Sequence, residues 1–256
     1  MKTTRGAVLE ALERGEFYLV YQPIVDLLTR RTVGLEALVR WLHPGDGELG
    51  PNTFIQQFER NGAIADLGVW VTRTAMAEAS EWHRAARAKD RDLYLSVNVS
   101  GYELQQLTYS PALVSTCGEF EHRCQDLRVE VIESEFDLGG AGARSNLATL
   151  RGEEVRVVID DFGTGASTIE RILEVGADAI KLDRTLIADL EENPDRYESI
   201  VAVVAAAELA GVEVVAEGVE RESQYALLLK AGCRFGQGYL FSKPVRAEYV
   251  PTILDV

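Results

Sequence analysis

The chain has 256 residues, of which 46% are hydrophobic and 26% are charged, so it is long enough for one large domain with a full hydrophobic core. Its formal net charge of -15 argues against polymeric nucleic acid or an anionic membrane surface as a partner, and no apolar run is long enough to cross a bilayer. Three cysteines without metal-ligand spacing, and an N-terminus that does not resemble a signal peptide, predict a cytoplasmic protein without a disulfide framework.

A hairpin is predicted near the start of the chain. A short helix at residues 7–14 precedes strands at residues 17–25 and 33–41. The link of residues 26–32 is too short for a helical crossover, so the two strands are expected to pair antiparallel. In the second strand, period-two alternation places Glu36, Leu38 and Arg40 on one face and apolar side chains on the other. Charges inside a sheet need partners, and a structural Glu36–Arg40 pair is one option.

The rest of the chain alternates between strands and helices. Helices at residues 53–60 and 67–89 come first. Further strands are predicted at residues 93–100, 127–132, 155–159, 179–183, 212–218 and 234–238, and further helices at residues 111–121, 143–151, 168–174, 196–210 and 222–230. This order predicts an α/β fold, namely a modified TIM (β/α)8 barrel with the first strand antiparallel to the others, in a single domain of residues 1–256.

Polar side chains gather at the predicted strand ends, which meet at one mouth of a barrel. They are Glu36, Asn98, Glu130, Asp160, Asp161, Lys181, Asp183, Glu217 and Gln237. Oxygen donors without histidine or cysteine select hard ions, Mg²⁺ or Mn²⁺. The three histidines, His43, His83 and His122, are predicted to lie apart on the surface, which disfavours histidine chemistry. Taken singly, any of the acids could instead cap a helix or face water.

Several of these residues lie in motifs of a known family. The stretch Glu36-Ala37-Leu38-Val39-Arg40 resembles the signature of the EAL family of bacterial cyclic di-GMP phosphodiesterases. Further similar motifs follow in the family order at residues 21–24, 97–100, 160–165, 181–184, 216–220 and 237–241. The resemblance therefore covers nearly the whole chain.

The resemblance implies a site that hydrolyses cyclic di-GMP to linear 5'-pGpG with two Mg²⁺ or Mn²⁺ ions. It implies a set of metal ligands, which are Glu36, Asn98, Glu130, Asp160, Asp161 and Glu217. It implies that Lys181 holds the attacking water or stabilises its charge, with Glu36 and Glu217 as the other catalytic residues. It also implies substrate contacts from Gln22, Arg40 and Asp183, water ordering by Gln237, and a loop anchor in Glu133.

The chain departs from the family pattern at Ala166, where an aromatic residue is usual, and at Ile132, where threonine is common. Three interpretations stay open: an active phosphodiesterase, a low-activity cyclic di-GMP receptor that signals to a partner protein, and a metal-dependent barrel enzyme of another class that uses Lys181 as a base. The further partners considered are a second copy of the chain and a sensor or cyclase domain in a longer parent protein.

Overall fold

The structure is a computed structural model, and it describes residues 3–132, 140–164, 172–174 and 176–254. Within these ranges the strands form one sheet. They are β1 (Phe17–Asp26), β2 (Thr32–His43), β3 (Gly47–Leu49), β4 (Tyr94–Asn98), β5 (Leu127–Ile132), β6 (Arg156–Phe162), β7 (Ala179–Leu182), β8 (Glu213–Ala216), β9 (Phe235–Gly236) and β10 (Val245–Arg246). Eight of them close into a barrel in the order β1-β2-β4-β5-β6-β7-β8-β9, since β9 pairs back with β1.

The predicted antiparallel hairpin is confirmed. Strand β1 runs antiparallel to β2, from the Phe17–Trp41 pair to the Val25–Thr32 pair, and is also antiparallel to β9, while the other neighbours in the ring are parallel. The short link is held by Asp26, whose Oδ1 accepts hydrogen bonds from the backbone N–H groups of Leu28 and Thr29. The modified barrel predicted from the sequence is therefore the observed fold. Strands β3 and β10, which the sequence did not indicate, extend the sheet beyond the ring.

Helices surround the ring. In the described ranges they are α1 (Arg5–Glu13), α2 (Ile55–Asn61), α3 (Ile64–Ala88), α4 (Gly101–Leu104), α5 (Tyr109–Glu119), α6 (Ala141–Gly152), α7 (Arg184–Ala188), α8 (Pro194–Ala210), α9 (Glu222–Lys230) and α10 (Val250–Leu254). The long helices agree with the prediction to within a few residues, whereas the short helices α4, α7 and α10 were not predicted. Most of the helix predicted at residues 168–174 lies outside the described residues.

The hydrophobic core consists of two clusters between the ring and the helices. One cluster joins β1, β2, β4 and β5 to helices that include α2, α3 and α5, and the other joins β6, β7 and β8 to α8 and α9. The three cysteines are free thiols, as expected. No helix in the described part of the chain combines the length and apolarity needed to span a bilayer.

The prediction that all three histidines lie apart on the surface is wrong for two of them. His83 and His122 are buried, and their Nδ1 atoms lie 2.9 Å apart. His122 Nε2–H donates to the Met76 carbonyl, so its Nδ1 accepts from His83 Nδ1–H. Burial lowers the pKa of both rings, to about 4 for His83, so the pair is neutral. The pair therefore joins α3 to the segment after α5.

Candidate active site

A cleft of about 650 Å³ opens at the end of the barrel where the parallel strands terminate. Most of the residues predicted for the site line it, namely Gln22, Glu36, Arg40, Asn98, Asp160, Asp161, Asp183, Glu217 and Gln237. Glu130 and Lys181 are buried, with 2% and 1% exposure, and they contact the lining residues from inside the barrel. Glu133 and Ala166 lie outside the described residues.

Lys181 is the centre of the charged network. Its Nζ lies 2.5 Å from Glu217 Oε1, 2.8 Å from Glu130 Oε2, 3.1 Å from Glu36 Oε2 and 3.6 Å from Asp160 Oδ1. These four carboxylates come from β2, β5, β6 and the residue after β8, so the barrel itself brings them together. One ammonium faces four carboxyl groups, which leaves a large excess of negative charge if all of them are ionised.

The pKa values within this network reflect burial and mutual repulsion. Burial alone would lower the pKa of Lys181, but the surrounding carboxylates hold it well above its ordinary value. Burial alone would raise the pKa of Glu36, but Lys181 and the side-chain amides of Asn98 and Gln237 hold it below its ordinary value. Burial and the nearby Glu36 charge raise the pKa of Glu130 well above its usual range. Among the carboxylates of this network, Glu36 is therefore the one whose negative charge is best stabilised by its neighbours.

Glu36 is oriented by side chains from neighbouring strands. Asn98 Nδ2 donates to its Oε1 at 2.8 Å, and Gln237 Nε2 donates to its Oε2 at 2.7 Å. Arg40 Nη1 donates instead to the backbone carbonyl of Val39 at 2.8 Å. In the described structure, Glu36 is thus engaged with partners across the barrel, and the local Glu36–Arg40 pair considered from the sequence is not formed. Arg40 nevertheless lines the cleft.

A β-bulge brings the two adjacent aspartates to the same mouth. Between two successive residue pairs of β6 and β7, Ile159–Ile180 and Phe162–Leu182, strand β6 advances three residues while β7 advances only two. Asp161, inside this bulge, has a φ of 55°, in the left-handed region that asparagine and aspartate tolerate better than most residues. A regular strand would send Asp160 and Asp161 to opposite faces, whereas here both line the cleft.

Three carboxylates at this point could hold a cation. Asp160, Asp161 and Glu217 each offer an oxygen, and these oxygens lie within 4.8 Å of one another. Burial and Asp160 raise the pKa of Asp161 to about 6, and burial with Asp160 and Glu36 raises that of Glu217 to about 8. A divalent cation would relieve this repulsion, and all-oxygen donors suit a hard ion. The residues present therefore fit a metal of the predicted class.

A chain of amides ends in an acceptor at the floor of the cleft. Gln22 Nε2 donates to the Ser242 carbonyl at 3.2 Å, which leaves Gln22 Oε1 to accept from Gln237 Nε2 at 3.2 Å. Gln237 Oε1 is buried and has no donor within the described structure. A buried orphan acceptor calls for a donor such as water or a ligand hydroxyl or amine.

One polar side chain beneath the site, that of Ser96, was not predicted from the sequence. Ser96 in β4 is fully buried, and its Oγ donates to Glu130 Oε1 at 2.5 Å. The signal was available, because the alternation that turns Asn98 into the barrel also turns Ser96 inward. Asp183, predicted to contact substrate, lines the cleft but also caps α7, where its Oδ1 accepts from the Thr185 backbone N–H.

Comparisons with family models, curated proteins and solved structures all indicate the same family. The EAL domain model matches residues 5–244. The chain is 34% identical over 93% of its length to the cyclic di-GMP phosphodiesterase PdeR of Escherichia coli, and 34% identical over 91% to a cyclic di-GMP phosphodiesterase of Pseudomonas aeruginosa. It spans 35% and 39% of the length of these two relatives.

Solved structures resemble the whole barrel. The MucR phosphodiesterase in complex with c-di-GMP is 31% identical, with a TM-score of 0.88 over 96% of this chain and 98% of that one. The EAL domain of Mycobacterium smegmatis DcpA is 33% identical, with a TM-score of 0.77 over 93% of this chain and 97% of that one.

Proposed function

Because the chain belongs to the EAL domain family, we propose that it hydrolyses cyclic di-GMP to linear 5'-pGpG with Mg²⁺ or Mn²⁺ bound in the cleft. The activity of the similar phosphodiesterases and the c-di-GMP bound to a structural relative support this proposal. The observation that carries it is the excess of carboxylates around Lys181, since four of them share one ammonium. Such a site favours a cationic cofactor over an uncharged ligand.

The proposed metal ligands are the oxygen donors at the strand ends: Glu36, Asn98, Glu130, Asp160, Asp161 and Glu217. When bound, two divalent cations would neutralise phosphate oxygens and lower the pKa of a water molecule, which could then lose a proton and attack the phosphodiester. The Lys181 ammonium would stabilise negative charge on the attacking oxygen. Glu217, beside Lys181 and open to the cleft, would accept the proton.

Substrate binding is assigned to polar residues on the cleft wall. Arg40 offers a planar guanidinium that suits a phosphate or a guanine edge. Gln22 and Asp183 offer acceptors toward the guanine and ribose groups, and Gln237 Oε1 would accept a hydrogen bond from water. The apolar wall formed by Val39, Ile55 and Leu67 would cover the base.

The test is incubation of the purified chain with cyclic di-GMP and either Mg²⁺ or Mn²⁺, with nucleotides separated by chromatography. Metal-dependent formation of the linear dinucleotide supports the proposal. Binding without product would favour a cyclic di-GMP receptor that signals to a partner protein. Absence of binding would favour a barrel enzyme of another class. An EDTA-treated sample is the matched control.

A further inference from the structure

Ser96 and Lys181 hold the two oxygens of Glu130 from opposite sides. Ser96 Oγ donates to Oε1 at 2.5 Å, and Lys181 Nζ lies 2.8 Å from Oε2. All three side chains are almost completely buried. A carboxylate with a fixed donor on each oxygen cannot rotate about its terminal bond without losing one of them.

The position of Ser96 in the sheet explains why it reaches this carboxylate. In the β4–β5 register Asn98 lies opposite Glu130, and Ser96 lies two residues earlier on the same inward face. In the β2–β4 register Ser96 lies opposite Glu36. Ser96 is therefore placed beside Glu36 and one inward position before Asn98, and it is not among the residues that line the cleft.

We propose that Ser96 is a positioning residue that fixes the carboxylate of Glu130, one of the proposed metal ligands, and through it the Lys181 ammonium, so that the ligand oxygens stay directed toward the metals. This inference rests on the proposed metal site. Without the hydroxyl, Glu130 Oε1 loses its donor in a dry interior, and the carboxylate turns toward Lys181 to compensate. The ammonium then moves with it and competes for the oxygens that would hold the cation. Hydrogen-bond partners of metal ligands commonly change metal affinity when they are removed.

The test compares Ser96→Ala with Ser110→Ala in two measurements. Titration with Mn²⁺ alone, monitored by electron paramagnetic resonance, gives the Mn²⁺ affinity, and thermal unfolding gives the melting temperature. Ser110 is a matched control, because it is also buried, its Oγ donates at 2.7 Å to Asn146 Oδ1, and neither residue lines the cleft. Both variants are expected to melt at lower temperature, since each loses a buried hydrogen bond. Only Ser96→Ala is expected to weaken Mn²⁺ binding, by about 10-fold.

A third variant, Ser96→Thr, restores the hydroxyl and is expected to recover most of the Mn²⁺ affinity. Equal Mn²⁺ affinity in the wild type, Ser96→Ala and Ser110→Ala would overturn the positioning role. So would equal weakening by both alanine variants, which would indicate general destabilisation. Failure of the wild type itself to bind Mn²⁺ would contradict the proposed function instead, so the two failures are distinguishable.

Discussion

Lys181 Nζ lies 2.8 Å from Glu130 Oε2, and each side chain is 1% exposed. This is a buried ion pair at the centre of a barrel, and three more carboxylates converge on the same ammonium. Dehydrating an ion pair is costly, so its persistence here is better explained by chemistry at the cleft than by stability.

Replacing Lys181 by methionine should lower the free energy of unfolding by about 3–5 kcal/mol in metal-free buffer, because it leaves buried carboxylates without their cation. Added Mn²⁺ should raise the melting temperature of this variant more than that of the wild type, since the metal then supplies the missing positive charge. Lys230→Met, at a helix position where the ammonium lies 5.8 Å from the Tyr197 ring, is the control and should change little. Denaturant unfolding with and without Mn²⁺ measures both effects. A Lys181→Met variant as stable as the wild type would contradict the account of the network.

Glu36→Gln should reduce the rate of cyclic di-GMP hydrolysis by about 100-fold or more, because it removes a charged ligand while keeping the side-chain shape. The matched control is Glu16→Gln, another buried glutamate, whose carboxylate is bonded to Arg14 and Trp41 away from the cleft. Steady-state kinetics on both variants measures the difference. Comparable activity of the two variants would mean that Glu36 is not a ligand.

Asp161 permits a test that separates backbone strain from charge. Its φ of 55° disfavours alanine by roughly 1–2 kcal/mol, whereas asparagine tolerates this region. Asp161→Asn should therefore be more stable than Asp161→Ala by about 1 kcal/mol, while both lose Mn²⁺ affinity because both lose the carboxylate. Thermal unfolding and Mn²⁺ titration give the two readings. If asparagine retained full Mn²⁺ affinity, Asp161 would have a structural role only.

The buried histidine pair predicts a pH dependence of stability. Burial, together with His122, lowers the pKa of His83 from 6.5 to about 4. A group whose pKa is lowered by folding stabilises the fold above its unfolded pKa, and the stabilisation is lost as the pH falls toward the folded value. Between pH 7 and pH 5 the contribution of His83 should fall by about 2 kcal/mol.

This dependence can be assigned with two variants. Urea unfolding at several pH values should show a flatter profile for His83→Gln than for the wild type. Ser110→Ala, which removes a buried hydrogen bond but no ionisable group, should keep the wild-type dependence on pH. Identical profiles for all three proteins would show that folding does not lower the pKa of His83.

The sequence predicts much of this fold because its signals are local. The short link after Asp26 specifies the antiparallel hairpin, and alternation in the strands places the oxygen donors at one mouth. The bulge at Asp161 could not be predicted, since it depends on how β6 and β7 pair across the ring. The His83–His122 contact likewise joins α3 to the segment after α5, so their separate positions in the chain suggested a surface location.

We propose that the oxygen donors at the open end of the barrel hold two hard cations. Anomalous diffraction from crystals grown with Mn²⁺ tests this most directly. We predict two anomalous peaks in the cleft, close to the carboxylates of Asp160, Asp161 and Glu217. A cleft without anomalous signal, in which Lys181 still pairs with all four carboxylates, would contradict the claim.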